Sequence, residues 1–373
     1  ARFAERAQGF GGTAGSLGRY LQEGWNRADP AKARLFGFLG QVGSLEHYQQ
    51  TLQQLGGQQL QAMAHQAVID TPRRMDEVGD CPDAGAPGVR RDPDGCIWLR
   101  LGTQKSNQSA QTHNLGYEAH NTVLRAGVQR DLGNDWHVGA TLGAQVNRLE
   151  ADGYDSKGNT VDAAVAVRRD LGRLSMTGAV GVAYGRFDNT RSPQLGRFGD
   201  ATGLTQSYES RSRLTIVSGR ASASYTFGDD DGYVKPALAV DVMAVRTPGV
   251  TESDGPLALS TSRVNDVIVA VTPKVEVGKR FHLNATTSAR AYASGGVSWL
   301  PDNTRSSQNR LRHAASGTPS FESRSDGPAA VARLNLGVQV WQKENLQFSV
   351  EAQLESGRDY RSYGVSARLQ RRF

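Results

Sequence analysis

The chain has 373 residues, is 38% hydrophobic with a mean hydropathy of −0.49, and carries a net charge of +6 with a pI of about 9.4. It contains no run of 18 apolar residues, which excludes a helical membrane span. The arginines are scattered and do not cluster with aromatics, so the basic balance is no argument for nucleic acid. The first residue is Ala1, with neither Met nor a signal peptide, and the chain reads as the mature C-terminal piece of something longer.

The first 80 residues read as helix. Leu17, Leu21 and Trp25 have helical spacing, and Asp29-Pro30 opens a second stretch through Leu35, Phe36 and Leu39. Ser44 is the expected N-cap of a helix over 45–55, which Gly56-Gly57 ends. The segment 58–78 carries Leu60, Met63, Ala64, Ala67 and Val68 but is otherwise polar, with Pro72 expected to break it. One reading is a surface helix. Its reach of about 31 Å, at about 1.5 Å per residue, matches a bilayer core and favours a helix inside a polar pore. Residues 9–14 spell G-F-G-G-T-A, a formal dinucleotide fingerprint, but no strand is expected before it and it carries no weight.

Cys81 and Cys96, 15 apart across a Pro/Gly-rich linker, fit a disulfide in an oxidising compartment. From Gly95 the pattern changes to period-2 alternation, which predicts strands over 97–105, 115–130, 136–146, 161–167, 174–184, 214–227, 234–245, 267–277, 281–299, 330–340 and a final pair from Leu346 to the C-terminal Phe373. A tight turn is expected at Gly278-Lys279-Arg280 and another at Gln342-Lys343-Glu344. In the final pair Leu346, Phe348, Val350, Ala352 and Leu354 alternate with polar residues, and so do Tyr363, Val365, Ala367 and Leu369. About twelve strands, apolar outward and polar inward, joined alternately by short turns and long polar loops, predict an all-β membrane protein. The fold expected is an antiparallel transmembrane β-barrel with an N-terminal helical segment, part of it in the lumen. The aromatics Trp136, Tyr184, Tyr225, Phe227, Phe281, Trp299, Phe348 and Phe373 suit the interfacial girdles. The expected domains are 1–57 (helical), 58–80 (pore-spanning helix), 81–95 (linker) and 96–373 (barrel).

Parity places Arg125, Arg168, Arg220, Lys235, Asp241, Asp266, Lys274, Glu276, Arg290, Arg333, Glu351 and Arg368 towards the lumen. Most are expected to pair across strands, and some to grip the pore helix at Arg73, Arg74, Asp76 and Glu77. No G-x-S-x-G, H-E-x-x-H or P-loop is present, so no catalytic residue, metal or cofactor is assigned. His113, Glu118 and His120 near an external rim are the nearest thing to an enzyme site.

The strand Cys96-Ile97-Trp98-Leu99-Arg100, the stretch Gly116–Gly143 with its core Leu124-Arg-Ala-Gly-Val-Gln-Arg-Asp-Leu-Gly133, and Tyr360-Arg361-Ser362-Tyr363-Gly364 leading to Phe373 resemble the translocator domain of classical (type Va) autotransporters, over roughly 51–373. The resemblance implies a Gram-negative outer-membrane anchor that mediates export of its own N-terminal passenger. The partners it implies are that passenger, outer-membrane lipid and lipopolysaccharide, the barrel-assembly machinery and periplasmic chaperones. It also implies that Tyr363, Val365, Ala367, Leu369 and Phe373 form an assembly signal, although Arg371 stands where an aromatic is usual. Some of the family cleave the pore helix after an Asn, and 58–78 has none. The alternatives are a diffusion porin with a helical plug and a barrel enzyme.

Overall fold

The structure is a computed structural model that describes residues 2–78, 81, 95–111, 115–201, 203–229, 232–314, 317–342 and 345–373. Twelve long strands build one closed antiparallel barrel: β1 (Cys96–Gln108), β2 (Tyr117–Gly133), β3 (Trp136–Ala151), β4 (Tyr154–Leu171), β5 (Leu174–Arg191), β6 (Tyr208–Tyr225), β7 (Tyr233–Thr247), β8 (Val264–Asn284), β9 (Thr287–Trp299), β10 (Ala330–Gln342), β11 (Leu346–Gly357) and β12 (Tyr360–Arg372). The last strand pairs with the first from Cys96 opposite Arg372 to Gln108 opposite Tyr360, so no edge is left to hydrogen-bond with lipid.

Alternation produces the two faces. Val180, Val182, Leu142, Val146, Val267 and Leu369 are exposed on the outer wall, while Gln104, Thr141, Arg125, Asp241 and Ser366 are buried inside. The predicted girdle aromatics, from Trp136 to Phe373, are all exposed. The strands run longer than predicted, up to 21 residues in β8 against the roughly ten that a bilayer needs. Where β3 turns into β4 the excess is polar on its outer face (Arg148, Glu150, Asp155, Lys157), beyond the apolar belt.

Two local expectations were wrong. Gly278-Lys279-Arg280 is no turn: the strand continues to Asn284 and reverses at residues 285–286. Gly278 is there because the Tyr233 ring lies across it, and a Cβ would approach that ring to 2.5 Å. Pro72 does not break its helix either, since the helix runs unbroken from Ala62 to Asp76. The turn expected at residues 342–344 and the linker residues 82–94 lie largely outside the described residues, as does His113.

The N-terminal segment forms α1 (Phe3–Arg6), α2 (Gly12–Asn26), α3 (Ala33–Gln41), α4 (Leu45–Leu55) and α5 (Ala62–Asp76). Asp29 caps the 3-10 turn Pro30–Lys32 before α3, and the Ser44 side chain accepts from the His47 amide at the start of α4. Helices α1–α4 sit on the outer mouth. Their buried side chains, among them Phe3, Leu21, Leu39, Tyr48 and Leu52, share a core with Leu204, Tyr208, Leu257, Leu259, Leu311 and Phe321 from the barrel's outer loops. Two of those loops, expected only as long polar connections, form a second four-stranded sheet of Phe321–Asp326, Thr304–Leu311, Leu259–Thr261 and Val250–Thr251. The Thr13 hydroxyl donates to the Arg324 carbonyl at 3.1 Å and accepts from its amide at 3.0 Å, joining α2 to that sheet. Burial pushes the Tyr48 hydroxyl in this cap up to about 12.

Candidate functional site: the occupied pore

The chain passes from cap to pore at Gly56-Gly57, where Gly57 takes a left-handed φ of 71° that a side chain would strain. The 3-10 turn Gln58–Gln61 follows, and α5 then descends through the lumen. Its upper half is packed by apolar contact. Val68 and Ile69 are fully buried among Leu149, Phe187, Ile216, Met243, Ile268 and Val331, which point inward from the upper wall. The alternation implies a polar lumen throughout; near the outer mouth the inner face also carries apolar side chains, covered by the helix, among polar ones such as Ser106, Ser156 and Asn189.

The lower half is held by charge. Glu77, at the C-terminal cap of α5, is bonded by both Arg100 and Arg125, and Arg125 also holds Asp162. Asp76 is bonded by Arg220 and, at 3.0 Å, by Lys274. Arg220 sits at the centre of this group. Its Nε and Nη2 each donate to Asp241 at 2.7 Å, and Nη2 also donates to the Pro72 carbonyl at 2.6 Å. Arg333 donates to the Ile69 carbonyl at 2.7 Å and pairs with Glu355 at 3.1 Å. A helix C-terminus has unpaired carbonyls and a negative dipole end. Here that end is ringed by Arg100, Arg125, Arg220 and Lys274, so the electrostatics fix which end of the helix points down.

Below the helix, Cys81 is disulfide-bonded to Cys96, with Cα atoms 6.3 Å apart. The pair packs on Trp98, whose ring receives the Arg368 guanidinium at 4.1 Å. The helix exit is thereby tied to the start of β1.

The chain is thus a closed twelve-stranded barrel with a helix threaded from mouth to base, and residues 97–353 match the family model for the autotransporter beta-domain. This chain belongs to the autotransporter family. The translocator domain of the autotransporter NalP from Neisseria meningitidis has the same fold, at TM-score 0.64 and 12% identity, covering 84% of this chain and 98% of its own. The beta domain of the Bordetella autotransporter BrkA is similar at TM-score 0.50 and 14% identity, over 76% of this chain and 100% of its own. No curated protein matches. The autotransporter is therefore a protein of the Gram-negative outer membrane, with a role in anchoring and passenger export.

Of the charges assigned to the lumen in this autotransporter, Arg125, Arg220, Lys274 and Arg333 touch α5. The others serve the wall. Arg168 pairs with Asp170 at 3.2 Å, Lys235 with Glu276 at 3.5 Å, Asp241 with Arg220, and Asp266 with Arg305 at 2.9 Å. Glu351 accepts from Tyr292 at 2.6 Å, and Arg290 lies 5.4 Å from the Tyr292 ring. On the helix, Arg73 reaches Gln353 at 3.2 Å, whereas Arg74 turns back to Thr71 at 2.6 Å. Sequence reasoning missed Arg100 and Asp162, although the parity of their own strands was enough to find them. Glu118 bonds Lys105 at 2.8 Å and His120 at 2.9 Å on exposed side chains. Tyr363, Val365, Leu369 and Phe373 are exposed along the closing strand.

Proposed function

We propose that this autotransporter exports its own N-terminal passenger through the pore that α5 occupies, and that α5 remains afterwards as the seal. The observation that carries this reading is the direction of the chain. It enters the pore at the outer mouth at Gln58 and reaches the inner end at Asp76, where Cys81 is bonded to Cys96. Everything before Gln58 is thus on the outer side, the end state of export. In this reading 1–57 is the exported, passenger-proximal part, 58–80 the pore-spanning segment, 81–95 the linker and 96–373 the translocator.

The lumenal cations Arg125, Arg220, Lys274 and Arg333, with Arg100, hold the helix once it arrives, and the remaining lumenal charges keep the wall in register. Tyr363, Val365, Ala367, Leu369 and Phe373 present the closing strand to the assembly machinery, with periplasmic chaperones upstream of that step. The role is non-enzymatic and needs no cofactor: Glu118, on an exposed rim, is taken up by contacts with Lys105 and His120. A diffusion porin is the weaker reading, because the lumen is occupied by a helix bonded to the wall at Asp76, Glu77, Ile69 and Pro72.

The test is an epitope tag placed upstream of Ala1 in the full chain. Protease added to intact cells should remove the tag while leaving a heat-modifiable barrel. A tag that stays protected behind an assembled barrel would end the proposal.

A further inference from the structure

The outer wall carries a charge pattern that the pore does not use. On β5 the exposed series Val180, Val182, Tyr184 continues to Arg186, and Asp188, next on the same face, is taken up by Arg211 at 2.8 Å. On β6 the outward series runs Val217, Thr215, Arg213, and on β7 it runs Val240, Val242, Ala244, Arg246. Pairing brings the three arginines together: Arg186 stands directly opposite Arg213, and Arg246 stands opposite Thr215, one diagonal step from Arg213. Diagonal neighbours lie only about 7–8 Å apart, and directly opposed like charges destabilise a sheet.

Four other outward cations near this height are paired within the chain, and Arg361 on β12, which has no such pair among the described residues, stands apart from any other arginine of the group. Lys105 has Glu118 at 2.8 Å, Arg148 has Glu150 at 2.6 Å, Lys157 has Asp155 at 3.2 Å, and Arg211 has Asp188 at 2.8 Å. Among the described residues no carboxylate pairs with Arg186, Arg213 or Arg246, and all three are exposed. Three unneutralised guanidinium groups on adjacent strands call for an anion from outside the chain. Their height decides which one. They sit at the top of the apolar belt, Arg186 next after Tyr184, Arg213 one outward position beyond Thr215 and Val217, and Arg246 one beyond Ala244 and Val242, where acyl chains end and headgroups begin.

We propose that Arg186, Arg213 and Arg246 form a binding site for the phosphorylated headgroup of the outer-leaflet glycolipid. Each guanidinium offers a planar fork that matches phosphate oxygens bidentately. The valines below hold the lipid's chains, so headgroup and tail are recognised by one stripe of wall across β5, β6 and β7.

The experiment uses the full chain in detergent and measures binding of bisphosphorylated lipid A in mixed micelles. Dephosphorylated lipid A and inorganic phosphate are run alongside. The test variant is Arg186→Gln/Arg213→Gln/Arg246→Gln, and the control is Lys105→Gln/Arg148→Gln/Lys157→Gln, which removes as many charges from already paired positions. Heat-modifiable migration verifies that both are folded. The expected result is at least tenfold weaker binding of bisphosphorylated lipid A in the arginine variant and near-normal binding in the control, with dephosphorylated lipid at least tenfold weaker on the native chain. Equal affinity in the two variants would overturn the proposal. So would inorganic phosphate alone binding as tightly as the lipid, because the site would then read an ion and not a lipid.

Discussion

The lower half of the pore helix and the outer cap belong to one N-terminal segment, yet charge dominates the hold on the first and apolar burial the hold on the second. Helix α5 ends in Asp76 and Glu77, which are bonded to four barrel cations, while two carbonyls of its last turns accept from Arg220 and Arg333. Among the described residues the cap has one buried ion pair, Lys32 with Asp29 in the turn before α3, and beside hydrogen bonds such as Thr13 to Arg324 it rests mainly on apolar side chains such as Leu21, Leu39 and Leu52, buried with Leu259, Leu311 and Phe321. Charge pairs are directional and suit a segment that must stop at one depth and in one orientation. Hydrophobic burial is non-directional and grows with area, which suits a cap that must fold once it is outside. In the export proposed above, folding of that cap on the mouth is a free-energy gain available only after the segment has crossed.

The comparison is broken most completely by removing both parts. A chain lacking residues 1–78 should form a barrel whose conductance in planar bilayers is many times that of the full chain, which should conduct weakly. Next in size is Glu77→Gln, which leaves Arg100 and Arg125 without their shared carboxylate. Removing one partner of a buried pair costs about 3–5 kcal/mol. The expected result is a rise in channel openings, stronger at high salt, with the cap still resistant to external protease. Leu52→Ala should do the reverse. Truncating a fully buried leucine costs about 2–5 kcal/mol, so the cap should become protease-sensitive in intact cells while conductance stays low.

Smallest in packing energy is Phe373→Ala. The residue is exposed, and even full burial of a Phe contributes only about 1.5–3 kcal/mol. The refolded barrel should therefore show nearly normal heat-modifiable migration, while the amount in isolated outer membranes should fall sharply. Equal losses in both assays would make Phe373 a packing residue and nothing more. Arg371→Tyr should hold or raise the membrane level.

The barrel was legible in the sequence because period-2 alternation is a local signal, repeated in every strand from Cys96 to Arg372. So were the helix starts at Asp29-Pro30 and Ser44, where a single side chain caps the turn. What escaped was tertiary. The cap's core takes Leu257, Leu259, Leu311 and Phe321 one or two at a time from polar loops, too sparsely to leave any period. The apolar upper lumen escaped for a related reason: an inward Ile216 beside an outward Val217 looks like a strand buried on both faces, and only the helix explains it. Gly278-Lys279-Arg280 has turn composition, and nothing local reveals that Tyr233 on the neighbouring strand needs the glycine. In the site itself, parity reached the charged wall but could not say which four of its members would meet α5.

The central claim is that the segment that has crossed leaves α5 locked in the lumen, and the Met75–Ser218 contact reports on it directly. The Ser218 hydroxyl lies 3.3 Å from the Met75 sulfur, deep inside the barrel. In intact cells carrying Met75→Cys and Ser218→Cys, molecules whose upstream tag is exposed at the surface should join the two positions with a short bis-maleimide and resist a bulky external one. Surface-tagged molecules in which residue 75 labels freely with the bulky reagent and does not cross-link would contradict the account.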